Sequence, residues 1–573
     1  MAASAADLAA ATNNDRPLDG SHTNELHPGW GTTHSELIRL TAPGPEGLHH
    51  TAPSSRKRVH HWQDDNPRRI SNLVCREDAQ IPDPEGRTHW MWAWGQFLDH
   101  GLDLTLESEE TIAIEIDPAD PHVEGEQIAI NFKRSAPAPG TGFRYDQPRE
   151  NTNVLSAYID ASSVYGVDTA RLAELIGDGS PFLATGPNDL LPTRTADVAN
   201  AEPANFGGPF FLAGDVRVNE HVVLTSLHTT FVRLHNHRVQ MLIDAGETDA
   251  AAIFTRARAW VAAVMQFITY CEFLPELLGV QAVTGEWHYG GYRDYVETSI
   301  ATEFSTAAYR LGHSMLPASL PITQDVTFSD SEVPASERLD LKDAFFKPDL
   351  VAKYGMSTFI DLLHTEEMQQ IDTRVSEGLR NFLFRFPNGA GGVDLGLLDL
   401  ASLNIMRGRD HRLANYNDVR EGLGLPRATS FAQIGRDPVL VGRLQQAYGD
   451  VDSVDLWVGG LAETPLPDAA VGETFYTILL DQFMRLRDGD RYYWENDDHP
   501  LLDADERDEI SSGYWTLARV LTVTEAVSKE MATNLDPRSN VFNTCGMHRV
   551  PHLSSTDGTD VSAEMPGYGS NAR

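Results

Sequence analysis

The sequence predicts a mainly α fold: a single large helical domain with long loops and little β structure. Three observations carry that expectation. Apolar residues recur at helical spacing over long stretches, alternation at strand spacing is scarce, and no long linker or internal repeat divides residues 71–553. At 573 residues the chain is long enough to bury a large core without disulfide staples.

Residues 1–70 are rich in Ala, Pro, Gly, His and Asp with little periodicity, and read as an N-terminal extension, a partly ordered arm. WMWAWGQFLDHGLDLT (90–105) is apolar and indole-rich around Gln96, Asp99, His100 and Asp103. Those four fall at i, i+3, i+4 and i+7, which puts them on one face of a helix. EQIAINF (126–132) is a short strand. HVVLTSLHTTFVRLHNHRVQMLIDAG, from His221, places Leu224, Leu227, Phe231 and Leu234 three and four apart, a helix for which Asn219 is the expected N-cap. FTRARAWVAAVMQFITYCEFLPELLG (254–279) and FYTILLDQFMRLRDGDRYYW (475–494) repeat that pattern. Residues 554–573 form a polar tail.

Charge narrows the function classes. Lys and Arg number 45 against 83 Asp and Glu, a formal net charge of −38. Such a surface repels nucleic acid and anionic lipid. No uninterrupted apolar run reaches the roughly 18 residues of a membrane span. MAASAADLAAATNNDRPLDG lacks the basic and apolar regions of a standard signal peptide. Cys75, Cys271 and Cys545 are too widely spaced for a zinc pattern or a disulfide framework. No Asn-x-Ser/Thr acceptor for N-glycosylation occurs.

Several short stretches could carry chemistry, and each has a plainer reading. Burying Gln96, Asp99, His100 and Asp103 on one stripe is expensive unless a cavity occupant satisfies them. The plainer reading is a core helix whose polar groups meet neighbouring backbone. In DVRVNEHVV, Glu220 suits a first helical turn and Arg217 suits solvent. His313 in AAYRLGHSMLP is a core histidine or, more sharply, an axial haem ligand, with Arg310 three residues before it. SLNIMRGRDHRLANYNDVR reads as a charged loop in which Asp410, beside Arg407 and Arg409, makes internal ion pairs; Asn417 and Arg420, at i and i+3, could face inward together. In SAYIDASSVYG (156–166) the oxygens of Ser156, Asp160 and Ser162 alternate as a calcium site needs, or simply make an Asx-type turn.

Together and in order, WGQFLDHGLDLT, DASSVYG, DVRVNE with LHTTFVRLHN, YRLGHSMLP and LNIMRGRDH with NYN resemble the animal-type haem peroxidases of the peroxidase–cyclooxygenase superfamily. DLWVGG (455–460) and FMRLRDGDRYYWEN (483–496) look like its C-terminal signatures. The resemblance covers about 85 to 545 and implies a haem peroxidase domain over 71–553, of a bacterial member. It implies haem b as cofactor, with His313 as the proximal iron ligand and Asn417 accepting its imidazole N–H. His100 would be the distal acid/base, Arg217 the distal arginine, and Gln96 the holder of water or halide. Arg310 and Arg420 would sit near the haem propionates, and Asp99 and Glu220 would be ester-linked to haem methyl groups. His221 stands where myeloperoxidase has a methionine bonded to a haem vinyl group, so no sulfonium link is expected.

By the same resemblance, calcium would be held by Ser156, the Tyr158 carbonyl, Asp160 and Ser162. Gly101 departs from the pattern, because relatives place an aspartate ligand there. The implied partners are hydrogen peroxide and a halide, thiocyanate or small aromatic reductant, with bromide and iodide preferred to chloride. A monomer outside the cell is expected. A cyclooxygenase or fatty-acid dioxygenase would carry a radical tyrosine three residues before the proximal histidine. Arg310 occupies that position, and Tyr309 should point elsewhere on a helix. A peroxidase-like binding module would have lost His100, Arg217 or His313, and all three are present.

Overall fold

In the computed structural model the described residues are 4–44, 59–60, 65–122, 128–142, 147–195, 198–201, 210–279, 288–321, 338–381, 386–387, 393–394 and 398–543. The tail at 554–573 and Cys545 lie outside them. Helix accounts for 46% and strand for 9%, which is the mainly α architecture the periodicity predicts.

Helix α1 (Ala5–Asp15) opens with a capping box between Ser4 and Asp7 and buries Leu8, Ala9 and Thr12. It packs against α3 (Thr169–Ile176) and α5 (Ala250–Phe267). Arg16, just beyond α1, is buried in an ion pair with Asp490 at 3.0 Å. This part of the stretch expected to be an arm is therefore fastened to the domain by both packing and charge.

Helix α2 (Trp90–Asp99) and helix α4 (Val222–Asp244) form the centre. Trp94 and Phe97 of α2 lie 5.6 and 5.0 Å from Phe231 of α4, ring to ring. Burying such rings is worth about 1.5–3 kcal/mol each, so the polar face of α2 is turned away from α4's apolar face and held there. The cap of α4 is not Asn219. His221 fills that position, its Nδ1 accepting from Leu224 N–H at 3.2 Å. Asn219 instead accepts the Phe211 N–H at 2.9 Å and fixes the approach to the helix.

The apolar stretch after α5 continues through a π turn, Ile268–Phe273, into a short helix, Leu274–Leu278. Pro275 has no N–H to donate, so the wider turn falls where the regular ladder must fail. Ala250–Leu278 is long and apolar enough to cross a membrane, yet 94% of its most apolar window is buried inside the protein.

The sheet content is peripheral. Strands β1 (Val59–His60), β2 (Glu107–Glu115) and β3 (Ala129–Ser135) form a three-stranded sheet. The β2–β3 pair is antiparallel, with Ile112 opposite Phe132. Only the second strand of this hairpin shows in the sequence; in β2 the alternation is confined to its last residues.

Candidate active site

A cavity of about 620 Å³ lies where α2, the segment entering α4, the 3-10 segment Ala308–Ser314 and helix α6 (Leu400–Asp410) converge. That volume suits a cofactor-sized ligand. Gln96, Asp99, His100 and Asp103 all line it, so the stripe on α2 is a cavity wall. Arg217, Glu220, Arg310 and His313 line it too.

His100 is buried, with Nδ1 3.4 Å from Asp215 Oδ1 and Nε2 4.0 Å from Glu220 Oε2. Burial, then the Arg217 charge, holds its pKa well below the usual histidine value, so the ring is neutral. Arg217 is clamped. Its Nε donates to Asp215 Oδ1 at 3.0 Å, its Nη2 to Asp215 Oδ2 at 3.1 Å and its Nη1 to the Asp103 carbonyl at 3.2 Å. Burial opposes ionisation of Asp215, but the Arg217 charge and its hydrogen bonds overcome it and keep the carboxyl below its ordinary range. Sequence reading missed Asp215; its place two residues before Arg217 was the available signal.

Gln96 bridges two neighbours. Its Nε2 donates to Glu220 Oε1 at 3.3 Å, and its Oε1 lies 2.6 Å from His221 Nε2. Burial pushes the Glu220 carboxyl up to about 7. Burial, then Asp103, likewise raises Asp99. Burial therefore drives both acids towards the neutral form in this cavity.

His313 is not partnered by Asn417. The side-chain amide of Asn404, on α6, lies 2.7 Å from His313 Nδ1. The atom facing Nδ1 is the amide Nδ2, while Asn404 Oδ1 accepts from Arg310 Nη1 at 3.4 Å; with the amide turned over, Nδ1–H would donate to its oxygen and leave the Nε2 lone pair for a metal. Asn417 lies on the next helix, Tyr416–Gly422, where it accepts the Ala428 N–H at 2.8 Å and donates to Asp452 at 2.6 Å. Arg420 is likewise away from the cavity, paired with Glu463 at 2.8 Å and Glu473 at 2.7 Å. Arg407, three residues after Asn404, lines the cavity in its place. The physical reason is register: α6 abuts the cavity and the following helix does not, although both carry an Asn-x-x-Arg spacing.

Tyr309 also lines the cavity, contrary to the helical argument. The 3-10 winding of Ala308–Ser314 turns adjacent positions differently from an α-helix.

The cavity fits a haem. His313 can offer Nε2. Gly312 lines the wall, and a Cβ there would meet nothing within 4 Å, leaving room for a flat group. Two cations, Arg310 and Arg407, face the cavity; Arg407 stands 3.6 Å from Glu107 and 3.8 Å from Asp410, yet burial, then the neighbouring Arg310 charge, still pulls it down to about 10, so further anions such as propionates would be favourable there. Among the cavity-lining groups, His100 Nδ1, Asp103 Oδ1 and the Tyr309 hydroxyl are buried without a hydrogen-bond partner.

A family model described as animal haem peroxidase matches residues 15–535. The chain belongs to the animal haem peroxidase family. It is 31% identical over 539 residues to a peroxidasin homolog of Caenorhabditis elegans, an alignment covering 84% of this chain. The chain spans only 39% of that relative's length. The solved structure of peroxidase A from Dictyostelium discoideum superposes with a TM-score of 0.77 at 28% identity, covering 92% of this chain and 99% of that one. A fatty acid alpha-dioxygenase of Arabidopsis thaliana gives 0.75 at 18% identity, covering 96% and 85%, a likeness of fold alone.

The same fit fails for calcium at the 156–162 loop. Its members are brought together, but they satisfy one another. Ser156 Oγ donates to Asp160 Oδ2 at 2.8 Å, Ser162 N–H donates to Asp160 Oδ1 at 2.9 Å, and Ser162 Oγ donates to the Gly101 carbonyl at 2.8 Å. Asp160 is the one carboxylate of this ligand set, and it shares a small cavity with the guanidinium groups of Arg16 and Arg258. A hard dication takes six to eight oxygens and binds more weakly as ligand charge falls, and here the side-chain oxygens are engaged with one another and the carboxylate sits beside two guanidinium groups. The donor set present does not fit it.

Proposed function

We propose that this chain is a haem peroxidase, using hydrogen peroxide to oxidise small anions and small aromatic donors. The observation that carries this reading is the convergence of His100, Arg217 and Gln96 with the His313–Asn404 pair around one cavity. His313 would hold the iron, Arg310 and Arg407 the propionates, and Asp99 and Glu220 would be esterified. Haem, when bound, supplies the redox centre that takes the two oxidising equivalents of peroxide.

The chain's own part is proton handling and charge. Neutral His100 accepts a proton from one peroxide oxygen and returns it to the other as the O–O bond breaks. Arg217, fixed in place by Asp215, stabilises negative charge on the departing oxygen without having to reorganise. Gln96, tied to Glu220 and His221, orders water or a halide beside His100. Esterification would remove the charge of Asp99 and Glu220, two acids already driven towards neutrality by burial.

Among reductants, bromide, iodide and thiocyanate are proposed over chloride, because His221 replaces the methionine of the chloride-oxidising relative. Efficient chloride turnover at neutral pH would remove that preference. A fatty-acid dioxygenase reading gains Tyr309 from the structure; oxygen uptake on palmitate, absent in Tyr309→Phe, would establish it. The main test is one spectrum and one extraction. Purified protein should show a haem Soret band, and acidified organic solvent should fail to remove haem after peroxide treatment. Protein unable to take up haem overturns the peroxidase reading, whereas extractable haem overturns only the esters.

A further inference from the structure

The stretch expected to be an arm closes over the 156–162 loop, whose donor set does not fit calcium. The Ala157 N–H donates to the Gly31 carbonyl at 2.8 Å, and the Tyr158 hydroxyl donates to the Trp30 carbonyl at 2.9 Å. Gly20 approaches so closely that a Cβ there would fall 2.8 Å from Ser156 Oγ. Arg16, just beyond α1, and Arg258, on α5, share with Asp160 a small cavity of about 10 Å³, the space of a single water. All three side chains are buried, and the Nε of each guanidinium group has no hydrogen-bond partner. Arg258 Nη1 donates to the Arg16 carbonyl at 2.6 Å, and Arg16 Nη2 donates to Asp490 at 3.0 Å. Gln266 ties this cluster to the loop. Its Nε2 donates to the Ile159 carbonyl at 3.0 Å and to Asp490 Oδ2 at 3.3 Å. Asp490 belongs to FMRLRDGDRYYWEN, a motif the cavity chemistry leaves unused.

The other side of the loop carries the distal residues. Ser162 Oγ donates to the carbonyl of Gly101, the residue after His100, at 2.8 Å. The Ser163 carbonyl accepts the N–H of Asp215, which grips Arg217, at 3.1 Å. Gly214 comes so near that a Cβ there would fall 2.5 Å from the Ser162 carbonyl oxygen. The loop is thus a common support for His100 and Arg217. A buried carboxylate at its centre is costly unless a cation stands close. In a metal-bound loop a dication supplies that charge and gathers the oxygens. Here two guanidinium groups bring the positive charge, and hydrogen bonds gather the oxygens. Burial opposes the charge of both arginines, and Asp160 is among the anions that favour it.

We propose that Arg16 and Arg258 are a built-in cation for the 156–162 loop, holding it closed beneath His100 and Arg217 in the place of calcium. Neither arginine lines the large cavity, so both are positioning residues that act through the loop. The replacement of one cation by another stands by itself. Its effect on the reaction with peroxide rests on the peroxidase reading. The two cations compete for one carboxylate, Asp160. A loop given a second carboxylate should therefore take calcium more tightly once a guanidinium group is removed.

The test uses the full chain with Gly101→Asp supplying the second carboxylate. Calorimetric titration with calcium chloride should give a Kd about tenfold tighter in Gly101→Asp/Arg258→Met than in Gly101→Asp. Arg258→Met leaves the Arg16–Asp490 pair in place; Arg16→Met in the same background repeats the comparison from the other side. Without calcium, Arg258→Met alone should speed amide exchange about tenfold in peptides 156–166 and 214–217. Arg258→Lys, which keeps the charge, should recover most of that protection. With haem loaded, Arg258→Met should slow the first step with peroxide about tenfold. Calcium should restore that rate in Gly101→Asp/Arg258→Met, and chelator should remove it again. Equal calcium affinity with and without the guanidinium groups, calcium binding by none of the Gly101→Asp chains, or exchange raised evenly over the whole molecule overturns the built-in cation. A peroxide rate indifferent to calcium, in a double variant whose loop calcium protects, overturns the positioning role. A wild type that does not react with peroxide overturns the peroxidase reading and leaves the calorimetric comparison to decide the cation.

Discussion

Asn404 and His313 are joined side chain to side chain at 2.7 Å, while Asn417 holds the Ala428 backbone in another helix. The two asparagines therefore have separable roles. Asn404→Asp would give the His313 imidazole more anionic character and lower the haem reduction potential, measured by spectroelectrochemistry. Asn417→Ala should leave the potential unchanged. It should cost about 1–3 kcal/mol of stability by stranding the buried Ala428 N–H, read from denaturant melts.

Asp215 grips Arg217 through both carboxylate oxygens and stands 3.4 Å from His100. Removing Arg217 takes away charge stabilisation only, so Arg217→Ala should slow the reaction with peroxide about 10²–10³-fold. Removing His100 takes away both proton transfers, so His100→Ala should cost about 10²–10⁴-fold. Asp215→Asn should fall between wild type and Arg217→Ala, because the guanidinium stays but is no longer fixed. Stopped-flow measurement of the first step with peroxide ranks the three; an Asp215→Asn variant at wild-type rate would remove the positioning role.

The legible part of this molecule was local. The stripe of Gln96, Asp99, His100 and Asp103 followed from spacing on one helix, and the cavity behind it from the cost of burying them. What spacing could not decide was which of two equivalent patterns meets the cavity. Asn404 with Arg407 and Asn417 with Arg420 are the same motif thirteen residues apart, and only tertiary packing separates them. Tyr309 was misplaced for a related reason, since periodicity assumes α-helical winding and the segment is 3-10. The approach of Asp215 to His100 and the fastening of Arg16 to Asp490 are contacts distant in sequence, which a periodic pattern does not encode.

Glu272 gives the fold a pH dependence separate from the active site. Its Oε1 accepts the Leu517 N–H at 2.9 Å, its Oε2 is buried without a partner, and burial pushes the carboxyl up to about 8. The folded protein holds this proton more tightly than the unfolded chain, whose glutamate titrates near 4.5. The resulting stability is fully present below about pH 4.5 and is lost as pH rises through about 8. Glu272→Gln keeps the neutral shape and removes that loss. It should raise the melting temperature at pH 8.5 and leave it near the wild-type value at pH 4.5. An equal shift at both values would assign the effect to packing instead.

Gly101 is where calcium dependence could be restored. A Cβ there would meet the Leu98 carbonyl at 3.4 Å, Ser162 Oγ at 3.5 Å and Ser163 N at 3.6 Å, ordinary contacts that leave space for an aspartate. In the wild-type chain the loop is closed by the Ser162–Gly101 and Ser156–Asp160 hydrogen bonds, so chelator should leave its melting temperature unchanged. Gly101→Asp adds a second carboxylate beside Ser162 and Asp160, which shifts the balance from internal hydrogen bonds to cation binding. With calcium at one hundred times its Kd the variant should gain about 2.7 kcal/mol over its calcium-free form, and lose it on chelation. Calorimetric titration distinguishes the two chains directly. Stoichiometric calcium binding by the wild type would show that the hydrogen-bonded loop opens to admit the ion.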